Sequence, residues 1–334
     1  MQLSMKAIAL GILFTASTLQ PLQASTPPQP KTLTETIKNY QGVSYWSWKQ
    51  AADKIAISQP ALGTITTEVG KRTVPDTKQT MRVITQVSKL FTNFEQPKSL
   101  TIAYVSFIDN AWGKALIEKF CGSDCGYDVS GEAEKMCRSA QDCFGAFAVK
   151  NQRTQEALMY QTASDAGKRQ SSRVTGTVEA HEYTHTIQDI AVGNTSYETV
   201  PRWFVEGGAN WVQAVAVFSG SQKKYLEERK RVAKELFGSK MYTAAFLEEF
   251  LNPKSGFGWQ SWDKYEFWRI YDIGMLATEI MTAVKGPDSF MNMYLRMGKG
   301  ESFETAFEAE FNMPWDKGAK VLARSIQVQL QKSK

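Results

Sequence analysis

Both histidines of this 334-residue chain lie in one short segment, HEYTH, at positions 181 and 185. Residues four apart on an α-helix project from the same face, about one turn from each other. His181 and His185 would therefore direct two imidazole nitrogens at one point, as a bound metal ion requires. Glu182 would reach the same region from the flank, where its carboxylate can accept a proton from water. The segment predicts a metal centre with a general base beside it.

Two histidines do not complete a catalytic zinc site, which uses three protein ligands and keeps one position open for water. We expect Glu206, in the segment FVEGGANW, to be the third ligand, because it lies on a separate helix that a loop can bring back to the histidines. Gly207 and Gly208 carry no side chains, so two helices can pack closely where the metal bridges them. The alternative is that Glu206 is an ordinary first-turn acid stabilised by the helix dipole.

The segment HEYTH followed by WFVEGGANW resembles the gluzincin zinc metallopeptidases, the lineage that includes thermolysin and the zinc aminopeptidases. The later segments IYDIGMLATEIMTAVKG and SFETAFEAEF, with Trp315, are similar to the C-terminal helical region of that lineage. The resemblance covers about residues 175 to 325. The N-terminal half resembles no particular subfamily, so the resemblance does not extend to the substrate.

The resemblance implies a role for each matching residue. One Zn²⁺ ion would be bound by His181, His185 and Glu206. Glu182 would be the general base, which takes a proton from the attacking water and passes it to the leaving amine. Asn210, one turn after Glu206, would orient a ligand histidine through a hydrogen bond.

The oxyanion of the tetrahedral intermediate also needs a hydrogen-bond donor. Some relatives use a histidine for this purpose, but this chain has no third histidine. A tyrosine takes that role in the aminopeptidase branch, and we predict Tyr271, in the segment IYDIG. Tyr265 and Tyr242 are alternatives, and Tyr271 could instead be a core residue of an amphipathic helix.

The elements that would carry these residues divide the chain into two halves. Strand patterns at residues 61–74, 99–108, 144–149 and 157–162 alternate with helical ones in the first half, whereas the pattern from about residue 172 is nearly all helical. We predict an α+β fold. Residues 25–171 would form a mixed α/β subdomain with a small sheet, and residues 172–334 a mostly helical zinc-binding catalytic subdomain. The HEYTH helix would lie at their junction.

The N-terminus predicts export. Lys6 precedes an apolar run at residues 7–19, and Ala24 is a small residue at a cleavage position, so residues 1–24 match a secretory signal peptide cut after Ala24. The run is shorter than the roughly 18 apolar residues of a membrane span, and the alternative is an uncleaved anchor. We expect a secreted or periplasmic protein with no transmembrane segment in the mature chain.

The four cysteines are clustered in the first half, and in an exported chain they predict two disulfides with three pairings open. A structural zinc site is the alternative, but the spacings do not match the usual C-x₂-C pattern. The residues concerned are Cys121, Cys125, Cys137 and Cys143.

The composition narrows the function classes. A net charge of +5, from 39 basic and 34 acidic residues, is too small to argue for a nucleic-acid partner. The leading hypothesis is an exported zinc peptidase that acts on proteins or peptides. The second is a zinc-bearing but non-catalytic binding or structural protein of the same fold, directed at cell-surface proteins or at glycans. A third hypothesis takes the loop around Trp259 and Trp262 as a sugar-stacking surface, which would imply a cell-wall or glycan target; the alternative is that these aromatic residues belong to a lid or to the core.

Overall fold

The computed structural model describes residues 26–125, 128–163, 174–193, 200–252 and 267–332. The elements of the first half are, in chain order, α1 (Glu35–Lys38), α2 (Tyr40–Ile57), β1 (Thr64–Val69), α3 (Thr80–Leu90), β2 (Ser99–Val105), α4 (Asn110–Cys121), α5 (Val129–Met136), β3 (Ala146–Lys150) and β4 (Ala157–Thr162). A short 3₁₀ turn, Phe107–Asp109, separates β2 from α4.

The elements of the second half are all helices. They are α6 (Thr177–Val192), α7 (Arg202–Val217), α8 (Gln222–Val232), α9 (Ala244–Leu251), α10 (Arg269–Lys285), α11 (Asp288–Gly298), α12 (Phe303–Phe311) and α13 (Trp315–Lys332). The predicted α+β class, with a small sheet followed by a mostly helical region, is therefore confirmed.

The four strands form one sheet in the order β1-β2-β4-β3, with β3 antiparallel and the other neighbours parallel. Side chains alternate between its two faces, as the strand period requires. Leu100 and Ile102 of β2 face the main core, whereas Ala103 and Val105 face a smaller core beneath α4 and α5. The main core extends from α2 and α3 through α6, α7 and α10, so the two predicted subdomains share it.

Two helices of the second half were not predicted. Helix α11 lies between α10 and α12, and the helical pattern alone does not separate it from its neighbours. It begins directly after Pro287, a residue compatible with a helix start, and buries Phe290, Met293 and Tyr294. The short helix α9 was also missed.

The two disulfides join neighbouring cysteines along the chain, Cys121 with Cys125 and Cys137 with Cys143. This pairing resolves the three that the sequence left open, and all four thiols are used by it. Both bonds belong to the layer of the first half that contains α4 and α5. Among the described helices, none combines the length and the apolar character that crossing a membrane would require.

Helix α7 is the centre of the second half and is buried from Trp203 to Val217. A Cβ atom added at Gly207 would lie 2.2 Å from Gly274 of α10, and one at Gly208 would lie 2.1 Å from the ring of Phe290. The glycines do permit close packing, but against α10 and α11 and not against the HEYTH helix. The reason is helical geometry. Successive side chains are about 100° apart around the axis, so Gly207 and Gly208 point away from the face that carries Glu206.

We expect Gly274→Ala to lower the free energy of unfolding by about 1–3 kcal/mol, measured by urea denaturation. The new Cβ atom would lie 2.0 Å from the backbone oxygen of Trp203, which cannot rotate away as a side chain would. The free-energy cost of this steric overlap exceeds the gain of about 1 kcal/mol that alanine brings in helix propensity. Gly220→Ala is the matched control, because no heavy atom lies within 4 Å of its added Cβ atom. Equal stability of the two variants would contradict the argument.

Candidate metal centre

Helix α6 carries HEYTH and is bounded by two glycines with positive φ angles, Gly176 (φ 81°) and Gly193 (φ 68°). The helix ends at Val192, directly before Gly193. His181 and His185 lie one turn apart on this helix, with their ring centroids 4.7 Å from each other. His181 is 7% exposed and His185 is partly buried, so neither ring is free in solvent.

The structure brings Glu206 to both histidines. Its Oε2 atom lies 3.3 Å from His181 Nε2 and 3.4 Å from His185 Nε2. Donor atoms of the three side chains lie within 4.8 Å of one another, and the group could hold a metal ion. The predicted ligand set is therefore assembled from two helices, α6 and α7.

The spacing of the donor atoms suits a small divalent ion. Nitrogen and oxygen ligands about 2.0–2.1 Å from a tetrahedral metal ion are separated from each other by about 3.3 Å. The two separations that involve Glu206 Oε2 agree with this value. Two imidazole nitrogens and a carboxylate oxygen also match the donor types of such a site. By donor type and by these two separations, the residues present could hold a metal ion.

Charges around Glu206 favour its ionised form. Burial alone would raise the pKa of this carboxyl, but the charge of His185, hydrogen bonds from both histidines and the charge of Arg202 lower the pKa well below 4.5. Arg202 Nη2 donates to the second oxygen, Oε1, at 3.1 Å. The two carboxylate oxygens therefore have different duties, because Oε2 faces the histidines and Oε1 faces the arginine.

The interaction between Glu206 and His185 also raises the pKa of His185. Burial alone would lower it, but the Glu206 charge and the hydrogen bond to Glu206 outweigh burial and raise the pKa to about 9. In the metal-free protein His185 is therefore protonated at neutral pH. A metal ion must displace that proton to use the Nε2 lone pair.

On its other side, His185 is held by Gln188. His185 Nδ1 donates to Gln188 Oε1 at 2.6 Å, and Gln188 Nε2 donates to the Val205 carbonyl oxygen at 3.2 Å and to the Tyr294 hydroxyl at 3.1 Å. Asn210, the residue predicted to orient a ligand histidine, is buried one turn after Glu206. No hydrogen bond joins Asn210 to either histidine within the described part of the chain.

Glu182 and Tyr271 both lie beside the ligands. Glu182 is 6% exposed, and its charge acts to raise the pKa of His185 and of Tyr271. The Tyr271 ring centroid lies 6.0 Å from that of His181. Burial and, next, the Glu206 charge raise the pKa of the Tyr271 hydroxyl well above 10, which keeps it a hydrogen-bond donor.

The two alternative tyrosines differ from Tyr271. The Tyr242 hydroxyl accepts a hydrogen bond from Arg269 Nη1 at 3.0 Å, in a cluster that also contains Glu235. Tyr265 lies outside the described residues, as do Trp259 and Trp262.

Sequence reasoning missed two polar neighbours of the ligands, Gln188 and Arg202. Each had a positional signal. Gln188 follows His185 by three residues on one helix, and Arg202 precedes Glu206 by four, so each shares a helix face with the ligand that it contacts.

Comparisons of the chain with protein-family models, with curated proteins and with solved structures found no match. The interpretation of the site therefore depends on its own residues.

We expect the metal-free protein to lose stability as the pH rises from about 6.5 to about 9. The folded-state pKa of His185 is about 9, above its ordinary value of 6.5. Stabilisation by the protonated ring is therefore fully present below pH 6.5 and is lost as the pH rises through 9. The raised pKa of His185 can contribute at most about 3 kcal/mol to the free energy of unfolding. Urea unfolding in the presence of a chelator, below and above this pH window, measures the effect.

The matched control for this pH dependence is Glu206→Gln, which removes the charge that raises the pKa of His185. Burial also raises the pKa of Asp272, to about 7, but Asp272 titrates in both proteins and cancels in the comparison. An unchanged pH dependence in Glu206→Gln would show that the ion pair is not its source.

Proposed function

We propose that the protein is an exported zinc-dependent peptidase that hydrolyses peptide bonds in proteins or peptides. The observation that carries the proposal is the largely buried group of His181, His185 and Glu206, together with the buried carboxylate of Glu182, whose charge acts on His185. Three protein ligands that leave one coordination position open are the arrangement of catalytic zinc sites, whereas structural sites use four. The resemblance of HEYTH and EGGAN to the gluzincin lineage supports the same proposal.

The chain's own residues would divide the chemistry as follows. Zinc, when bound by His181, His185 and Glu206, supplies Lewis-acid activation of a water molecule and of the scissile carbonyl. Glu182 accepts the proton of the attacking water and later delivers it to the nitrogen of the leaving amine. Tyr271 donates its hydroxyl hydrogen to the developing oxyanion. Arg202 donates a hydrogen bond to Glu206 Oε1, which leaves Oε2 on the side of the two histidines, where it would be the ligand oxygen.

Two observations favour action outside the cytoplasm. The disulfides Cys121–Cys125 and Cys137–Cys143 are compatible with an oxidising, extracellular setting. The N-terminal pattern of residues 1–24 matches a signal peptide and lies outside the described residues. We propose secretion or a periplasmic location on these grounds.

The second candidate function is a metal-bearing binding or structural protein without turnover. The ion pairs of Glu206 with both histidines and Arg202 favour it, because they satisfy these groups without substrate chemistry. The two candidates differ in what they require of Glu182. A binding protein has no need of a general base at that position, whereas a peptidase does.

We expect Glu182→Gln to retain one zinc ion but to lower the rate of peptide hydrolysis by about 10²-fold to 10⁴-fold, because the amide cannot accept the water proton. Cleavage of a broad peptide library, followed by mass spectrometry, and elemental analysis for zinc measure the two properties. Asp189→Asn is the matched control, since it neutralises another acid of the same helix. If wild-type protein binds zinc and cleaves nothing, or if Glu182→Gln stays fully active, the peptidase proposal is wrong.

We expect Tyr271→Phe to lower kcat by about 10²-fold to 10³-fold, since the oxyanion donor is lost. The Tyr271 hydroxyl also interacts with Glu206, but Glu206 keeps its histidine and arginine partners, so we expect little change in zinc content. Tyr242→Phe is the control and also tests the alternative assignment, because its hydroxyl is already bonded to Arg269. Steady-state kinetics on any substrate found in the library separates the two. Loss of activity in Tyr242→Phe alone would transfer the role to Tyr242.

A further inference from the structure

Gln188 is a fully buried amide that connects three helices. Its exposed fraction is 0%, and it lies on α6 one turn after His185. Its amide nitrogen donates to the Val205 carbonyl on α7 and to the Tyr294 hydroxyl on α11, and its oxygen accepts from His185. Both polar atoms of the amide therefore have hydrogen-bond partners, and one of these partners is the ligand His185.

The orientation of this amide follows from the chemistry of its partners. A carbonyl oxygen such as that of Val205 only accepts hydrogen bonds, so the Gln188 nitrogen must face it. A flipped amide would place two oxygens against each other in a buried position. Gln188 Oε1 therefore faces His185 Nδ1, and a bond between them requires a hydrogen on Nδ1. With Nδ1 holding its hydrogen, Nε2, on the side of Glu206, is the nitrogen that gives up its proton and offers a lone pair when a metal ion binds.

We propose that Gln188 is a positioning residue of the metal centre, which selects the metal-binding tautomer of His185 and fixes that ring relative to Glu206. The second part follows from the anchor, because Val205 directly precedes Glu206 in α7 and its carbonyl holds the amide at 3.2 Å. One side chain thus links two of the three ligands. This inference rests on the proposed metal site. The Gln188 amide is neutral, so it holds His185 without adding a charge, and Glu206 stays the anionic ligand.

The test compares two buried glutamines. Gln96 is also buried, donates from Nε2 to the carbonyls of Ser88 and Phe91, and accepts from the Tyr183 hydroxyl of α6, but it contacts no metal ligand. Substituting either glutamine by methionine removes the same kinds of bond. We expect both variants to be less stable in urea, and only Gln188→Met to bind Zn²⁺ about 10-fold to 100-fold more weakly. Competition with a chromophoric chelator measures the dissociation constant, and the visible spectrum of the Co²⁺-loaded protein reports the ligand geometry.

A third variant separates hydrogen bonding from packing. Gln188→Glu keeps an acceptor for His185 Nδ1 but loses the donor to Val205, so we expect lower stability with zinc affinity restored toward that of the wild type. Zinc affinity equal in Gln188→Met and Gln96→Met would overturn the inference, as would a Gln188→Glu variant that binds zinc no better than Gln188→Met. Failure of the wild-type protein to bind zinc at all would instead refute the proposed function.

Discussion

The second half of the molecule depends on the pairing of the buried Glu206 carboxylate with the cationic and hydrogen-bonding groups around it. An unpaired charge in a protein interior costs several kcal/mol, so a carboxylate on a helix buried along its length must be surrounded by compensating groups. His181 and His185 supply them on one oxygen and Arg202 on the other. A bound metal ion would replace the Nε2 proton of His185 within this group and would not create a new polar centre.

Helix α7 satisfies several packing requirements at the same time because different faces of it meet different partners. The Glu206 face meets the histidines, while the glycine face allows the backbone of α10 to approach closely at Gly274. Tyr271 lies one turn before Gly274 on that same helix, so the contact that packs the core also places the tyrosine ring near His181. The position of the proposed oxyanion donor is thus a consequence of helix packing and not of a loop.

Periodic and chemically distinctive features could be predicted from the sequence, and features that depend on helix rotation could not. The strand at Ala157–Thr162 and the ligand set have clear signatures in residue type and spacing. The contact faces of Gly207 and Gly208 depend on which side of α7 meets α6, and residue spacing alone does not specify this. Gln188 and Arg202 were missed for a similar reason, because a single glutamine or arginine in a helix has no pattern until its neighbour is known. The roles of Asn210 and Tyr271 stay predictions.

The two disulfides determine which part of the fold is stabilised by covalent cross-links and which part by non-covalent packing alone. They close loops with sequence separations of only 4 and 6 residues. By the chain-entropy relation such loops contribute about 2 kcal/mol each, less than half of what a cross-link spanning about 100 residues would give. Both cross-links also belong to the layer of α4 and α5, across the sheet from the helices that hold His181 and Glu206. Reducing conditions would therefore loosen the layer on the far side of the sheet, while the residues of the proposed metal centre are held by non-covalent packing alone.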